Sequence, residues 1–116
     1  MTKRKFLGEF EQVVLLAVAR RDGEGYGMSL RREIEASADR SVSIGAIYAT
    51  LERLEEKRYV TSREGDSTPE RGGRARRHFS ITRAGSEALL RSREMLEGMW
   101  AGVHLEVADD EGQEVA

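Results

Sequence analysis

The sequence predicts an α+β, mainly α, fold, and three observations carry that expectation. Three segments with helix-period apolar spacing follow one another within the first half of the chain. Two short alternating segments come next, separated by a glycine-rich stretch, and a fourth helix-period segment follows them. At 116 residues with 39% apolar content, the chain fits one small core and is too apolar for a disordered polymer.

In residues 9–21 (EFEQVVLLAVARR) Phe10, Val13, Val14, Leu15, Leu16, Ala17 and Val18 cover most of a helical circumference, which predicts a helix buried on more than one side. DGEGYG then reads as a turn, with three glycines in six residues. In YGMSLRREIEAS, Tyr26, Leu30 and Ile34 form one stripe of an amphipathic helix. After a break at DRSV, Ser43 has the character of a helix N-cap, and Ile44, Ile47, Leu51 and Leu54 recur at helical spacing over 44–57. Those four fall within about 80° of one another, leaving Gly45, Ala46, Ala49, Glu52 and Arg53 outside.

Residues 59–64 alternate as a strand does, and so do 77–81, with Phe79 and Ile81 on one face. GDSTPERGGRA between them holds three glycines and the single proline, which predicts a hairpin with a long tip. Thr82 caps a last helix over 83–103, and the acidic segment beyond it has no periodicity. Three helices, a basic hairpin directly after the third, and a closing helix make the order of a winged helix-turn-helix. The expected organisation is a winged-helix domain over 1–82, a dimerisation helix over 83–103 and an acidic, disordered tail over 104–116.

Composition excludes several classes. With no cysteine, disulfide frameworks, zinc fingers and thiol nucleophiles are out. The longest apolar run near the N-terminus, Val13 to Ala19, is too short for a membrane span and leads into Arg20 and Arg21 without a cleavage site, so a cytoplasmic location is expected. His78 and His104 have no metal-ligand spacing, no Ser/His/Asp grouping or phosphate loop is present, and neither an enzyme nor a cofactor is expected. Net charge is −2, yet residues 1–83 carry 17 basic against 13 acidic side chains while 84–116 carry 2 against 8. DNA responds to the local field within about a Debye length, so the first part is permissive for it and the second is not.

GYGMSLRREIE, SIGAIYATLERLEEKRYV and GGRARRHFSITRAGSEAL, in that order, resemble the PadR family of bacterial regulators over residues 7 to 103. The resemblance implies an N-terminal winged helix with a C-terminal dimerisation region, in the branch with a single C-terminal helix, and a repressor function. Family members usually carry glycine after the third helix; Lys57 and Arg58 stand there in this chain, which leaves the helix end open. The acidic tail matches no family motif.

A recognition helix must approach the major groove closely, and Gly45, Ala46 and Ala49 give a low-relief face beginning at Ser43, whose helix end favours a phosphate. Tyr48 and Thr50 flank that face with hydroxyl donors, and Arg53 follows one turn later. Small residues also serve plain helix packing. The adjoining Arg71, Arg74, Arg76 and Arg77 favour DNA, because arginine suits the narrow minor groove that a wing touches. An isolated charge run would otherwise read as solvated surface, and Lys3, Arg4 and Lys5 as a disordered arm. The alternative function is a winged-helix protein–protein module without DNA binding, which would more naturally expose apolar patches there.

Selective binding to double-stranded DNA calls for two half-sites and therefore a homodimer. Leu89, Leu96 and Val103 repeat every seven residues with Met95, Met99 and Trp100 alongside, and the apolar first helix, through Phe10 and Val14, is the expected partner. Packing within one chain is the competing reading. Because some PadR-like proteins take flat aromatic compounds between subunits, the resemblance also implies a small aromatic effector, with Met95, Met99 and Trp100 as its contacts; such residues at a seam also serve packing alone.

Overall fold

The computed structural model describes residues 6–67 and 75–108, without the side chains of 66, 67 and 75. Four helices and two strands follow in the order α1 (Glu9–Arg21), α2 (Gly27–Ala38), α3 (Ile44–Glu56), β1 (Val60–Ser67), β2 (Ala75–Ile81) and α4 (Arg83–Trp100). The fold is mostly helical α+β with a winged helix-turn-helix arrangement, as the spacing predicts. Among the described residues no helix is long and apolar enough to cross a membrane.

Local chemistry sets the helix ends. Ser43 Oγ accepts from the Ala46 amide at 3.1 Å and Thr82 Oγ1 from the Gly85 amide at 3.0 Å, each satisfying a first-turn donor. At α1 the side chain works in reverse: Glu11 Oε1 accepts from the Gly8 amide at 3.1 Å. The end of α3 is a Schellman turn without glycine. The Tyr59 amide reaches back to the Leu54 carbonyl and that of Arg58 to Glu55, both at 2.9 Å, while Arg58 sits at φ 67°. Arg58 therefore occupies the left-handed position that glycine most often takes at a helix end.

One core draws on every element. Val14, Leu15 and Val18 of α1, Leu30 and Ile34 of α2, and Ile47, Leu51 and Leu54 of α3 meet Val60, Phe79 and Ala88. The strands pair antiparallel, with Val60 opposite Ile81 and Ser62 opposite Phe79; register shifts between Glu64 and Ser67. A third, minimal strand comes from the turn after α1, where the Phe79 amide donates to the Gly25 carbonyl at 2.9 Å. Fully buried Phe79 contributes roughly 2–3 kcal/mol by removal of its ring from water.

Two expectations change here. Val14 is fully buried in its own core and leaves no surface for a second subunit, because α1 is enclosed by α2, α3, β2 and α4. The last helix ends at Trp100 and not at Val103, and Gly102 at φ 78° turns the chain away from the helix axis. Of the acidic tail, residues 109–116 lie outside the described residues.

Candidate nucleic-acid interface

The α3 spacing decides which side chains can meet a ligand. Ile47, Thr50, Leu51 and Leu54 are buried, so Gly45, Ala46, Tyr48, Ala49, Glu52, Arg53 and Glu56 lie outside. A methyl group added at Gly45 would meet nothing within 4 Å, which marks the first turn as open and flat. Thr50 belongs to the interior: it is 1% exposed and its Oγ1 accepts from Arg53 Nη2 at 3.2 Å, so it leaves the set expected to face DNA. The reason is angular, since Thr50 lies on the edge of α3 that rolls against the core.

Arg53 is outside but turned toward α1. Its Nε lies 3.7 Å from Glu11 Oε2, the same oxygen that accepts from Lys57 Nζ at 2.8 Å. Burial pushes the Glu11 carboxyl up, but hydrogen bonds from Lys57 and the Gly8 amide, with the charges of Lys57 and Arg53, outweigh it and leave the group below its ordinary value. Glu11 thereby joins the start of α1 to the far half of α3.

Tyr48 defines the opposite edge of α3. Its half-exposed ring lies across Gly27 at the start of α2, where any larger residue would collide with the phenol. The same turn uses Gly25 for a different reason: a side chain there would stand 2.6 Å from Leu30 Cδ2. The GYG triplet, which reads as a turn from sequence, is thus a close-packing device on both sides of Tyr26.

The hairpin root is fastened on two faces. Arg77 Nη2 donates to Glu55 Oε1 at 3.0 Å and its Nε to Ser62 Oγ at 3.1 Å, while Ser62 Oγ donates to Glu55 Oε2 at 2.9 Å. On the other face the Arg76 guanidinium lies over the Tyr26 ring, 4.2 Å from its centre, and Arg32 Nη2 donates to the Tyr26 hydroxyl at 3.1 Å. Arg32 and Tyr26 were not expected at this site from sequence. No spacing signal announces the pair, since helix side chains meet at three- and four-residue steps and these two stand six apart. Arg71 and Arg74 lie outside the described residues.

Tyr48, Ala49, Glu52, Glu55, Arg77 and Phe79 together line an open cleft of 280 Å³ between α3 and β2. The outer helix face and the hairpin root therefore share one surface. The charged groups of the cleft are the Glu52 and Glu55 carboxylates and the Arg77 guanidinium.

The α4 surface is apolar and lies away from that cleft. Leu96 is 47% and Trp100 58% exposed, and both line a 500 Å³ groove with Leu16, Leu89 and Leu90. Phe10 and Leu89 are partly buried against their own core, with the Arg40 guanidinium over the Phe10 ring. Met95, Met99 and Val103 are exposed but do not line the groove, so of the three side chains expected around an effector only Trp100 does. Leu16, which no sequence signal placed here, forms its α1 wall with Gln12 and Ala19.

The chain matches the family described as "Transcriptional regulator PadR-like family" over residues 15–91, more than half its length. No curated protein matches it. Among solved structures it is similar to a PadR-like transcriptional regulator from Bacillus cereus, at 23% identity over 79% of this chain and 84% of that one, TM-score 0.63. A PadR family regulator from Eggerthella lenta is similar at 19% identity, 81% of each chain and TM-score 0.64. F93 from STIV, described as a winged-helix DNA-binding protein, is similar at 16% identity over 86% of this chain and all of that one, TM-score 0.66.

Proposed function

The chain belongs to the PadR-like family of transcriptional regulators, and from that premise we infer that it is a repressor that binds a pseudo-palindromic operator as a homodimer in the cytoplasm. Each protomer inserts α3 into the major groove and lays its wing on the flanking minor groove. The observation that carries this reading is the common surface of α3 and β2, on which Tyr48, Ala49 and Arg77 line one cleft beside the flat first turn of α3. Gly45, Ala46 and Ala49 permit close approach; Ser43 and Tyr48 serve the backbone, joined by Arg53 on release from Glu11; Arg71, Arg74, Arg76 and Arg77 serve the wing, the last two from its root against Tyr26 and Glu55. If each protomer neutralises four phosphates, the log–log salt slope of the dimer is about −7.

The second subunit covers the groove between α1 and α4, where Leu16, Leu89, Leu96 and Trp100 offer an apolar wall that one chain leaves in water. Met99 and Val103 extend that surface. A small aromatic effector fits beside Trp100, with Met95 and Met99 at the edge, and its binding would reset the separation of the two recognition helices.

Binding of the purified protein to its own promoter region tests the reading. The R74A/R76A/R77A triple variant is expected to bind at least about tenfold more weakly, consistent with loss of several phosphate contacts, and to remain dimeric. Equal affinity of the two proteins would count against the wing role. Sedimentation is expected to give twice the chain mass of 13.0 kDa, and L96E to give that mass alone. A wild-type protein that stays at the single-chain mass at every concentration would remove the dimer.

A further inference from the structure

Resting on the DNA-binding reading above, we propose that Glu52 is a specificity-determining residue that reads a cytosine in each half-site. Gly45, Ala49, Glu52 and Glu56 succeed one another on the outer stripe of α3, at the four-, three- and four-residue steps of one helix face. The first two positions have almost no side chain, so the helix backbone there can come close to a groove floor. Glu52 follows Ala49 by about 4.5 Å along the axis. It is the first long side chain on the stripe and also lines the cleft toward the wing.

Nothing within the described chain uses its carboxylate. Glu55 is held by Arg77 and Ser62, and Glu11 by Lys57 and Arg53, whereas Glu52 makes no ion pair or hydrogen bond among the described residues. Glu56 is also exposed but lies a full turn further toward the C-terminal end of α3, beyond the Tyr48, Ala49 and Glu52 side chains that line the cleft. A free carboxylate brought among phosphates is repelled and stripped of water, so it is tolerated only opposite a donor. The major groove offers two amino donors, cytosine N4 and adenine N6. Adenine carries the N7 acceptor beside its amino group, which opposes the second carboxylate oxygen; cytosine carries a C–H there. The residue thus acts by exclusion as much as by attraction, making every base but cytosine costly at one position.

The test is selection from a randomised duplex pool by the full-length protein and its E52Q and E52A variants, followed by titration of the enriched duplexes. Wild type is expected to enrich cytosine at one position per half-site and to lose about tenfold in affinity when that base becomes adenine. E52Q is expected to enrich adenine there, because an amide matches the adenine N6 and N7 pair. E52A is expected to show no preference at that position, to keep the others, and to bind unrelated DNA more tightly. Identical enriched sequences for all three proteins would overturn the assignment while leaving DNA binding intact. Failure of the wild type to enrich any sequence would overturn the DNA-binding reading and this assignment with it.

Discussion

The Tyr48 ring covers Gly27, so α3 and the first turn of α2 meet at a point where one partner has no side chain. In the functional reading, this contact aims the phenol along the edge of the recognition surface. Gly27→Ala forces the ring aside, and the half-exposed ring can move. We expect G27A to shift Tm by less than about 5 °C yet to weaken promoter binding about fivefold, near 1 kcal/mol. Fluorescence anisotropy beside a melting curve separates the two effects; unchanged affinity would show that the ring position is irrelevant to DNA.

Gly85 presents the opposite case. A methyl group there collides with the Tyr59 carbonyl oxygen and would stand 2.9 Å from Ile81 Cγ1. Backbone cannot swing away as a ring can. G85A is expected to cost about 1–3 kcal/mol in urea unfolding, in the range of overpacked cores, and to leave the DNA affinity of the folded fraction unchanged.

Arg58 holds the left-handed position that closes α3. Its carbonyl accepts from Thr82 Oγ1 at 2.8 Å, a backbone contact that glycine preserves. R58G is therefore expected to stabilise the protein by about 0.5–1 kcal/mol, the relief of the Cβ clash less the entropy glycine gains when unfolded. A lower Tm for R58G would contradict this account of the turn.

Glu11 confers a stability that depends on pH. Its folded carboxyl lies below the ordinary value, so the unfolded chain takes up a proton first as the medium is acidified. The contribution is complete above the unfolded value, about 4.3, and is lost as pH falls through the lower folded value. Urea titrations from pH 7 to pH 3 are expected to show E11Q less stable than wild type at neutral pH, with the difference shrinking in acid. A gap constant across that range would mean that the charge contributes nothing.

Much of the fold was legible because its periodicities are unambiguous. Ile47, Leu51 and Leu54 announce the buried side of α3, and Ser43 and Thr82 announce two helix starts that their hydroxyls do cap. Positions at the margin of a stripe were not legible. Thr50 is polar enough to lie outside, and only the placement of α1 and α2 against α3 carries it inward. Val14 sits in a helix apolar nearly all round, where composition gives no preferred direction; four neighbouring elements choose one. The glycines at 25 and 27 read as chain reversal, because a sequence shows flexibility at glycine but not the leucine and tyrosine that need the space.

The amide of Phe79 ends on the carbonyl of Gly25, joining two points far apart in the chain. That link has a kinetic consequence. The three N-terminal helices can assemble early from near neighbours, yet their shared interior stays open until the second strand arrives to plug it with one aromatic ring. Long-range closure of this kind is slow compared with helix formation. On a translating ribosome the domain therefore remains incomplete until the wing has emerged.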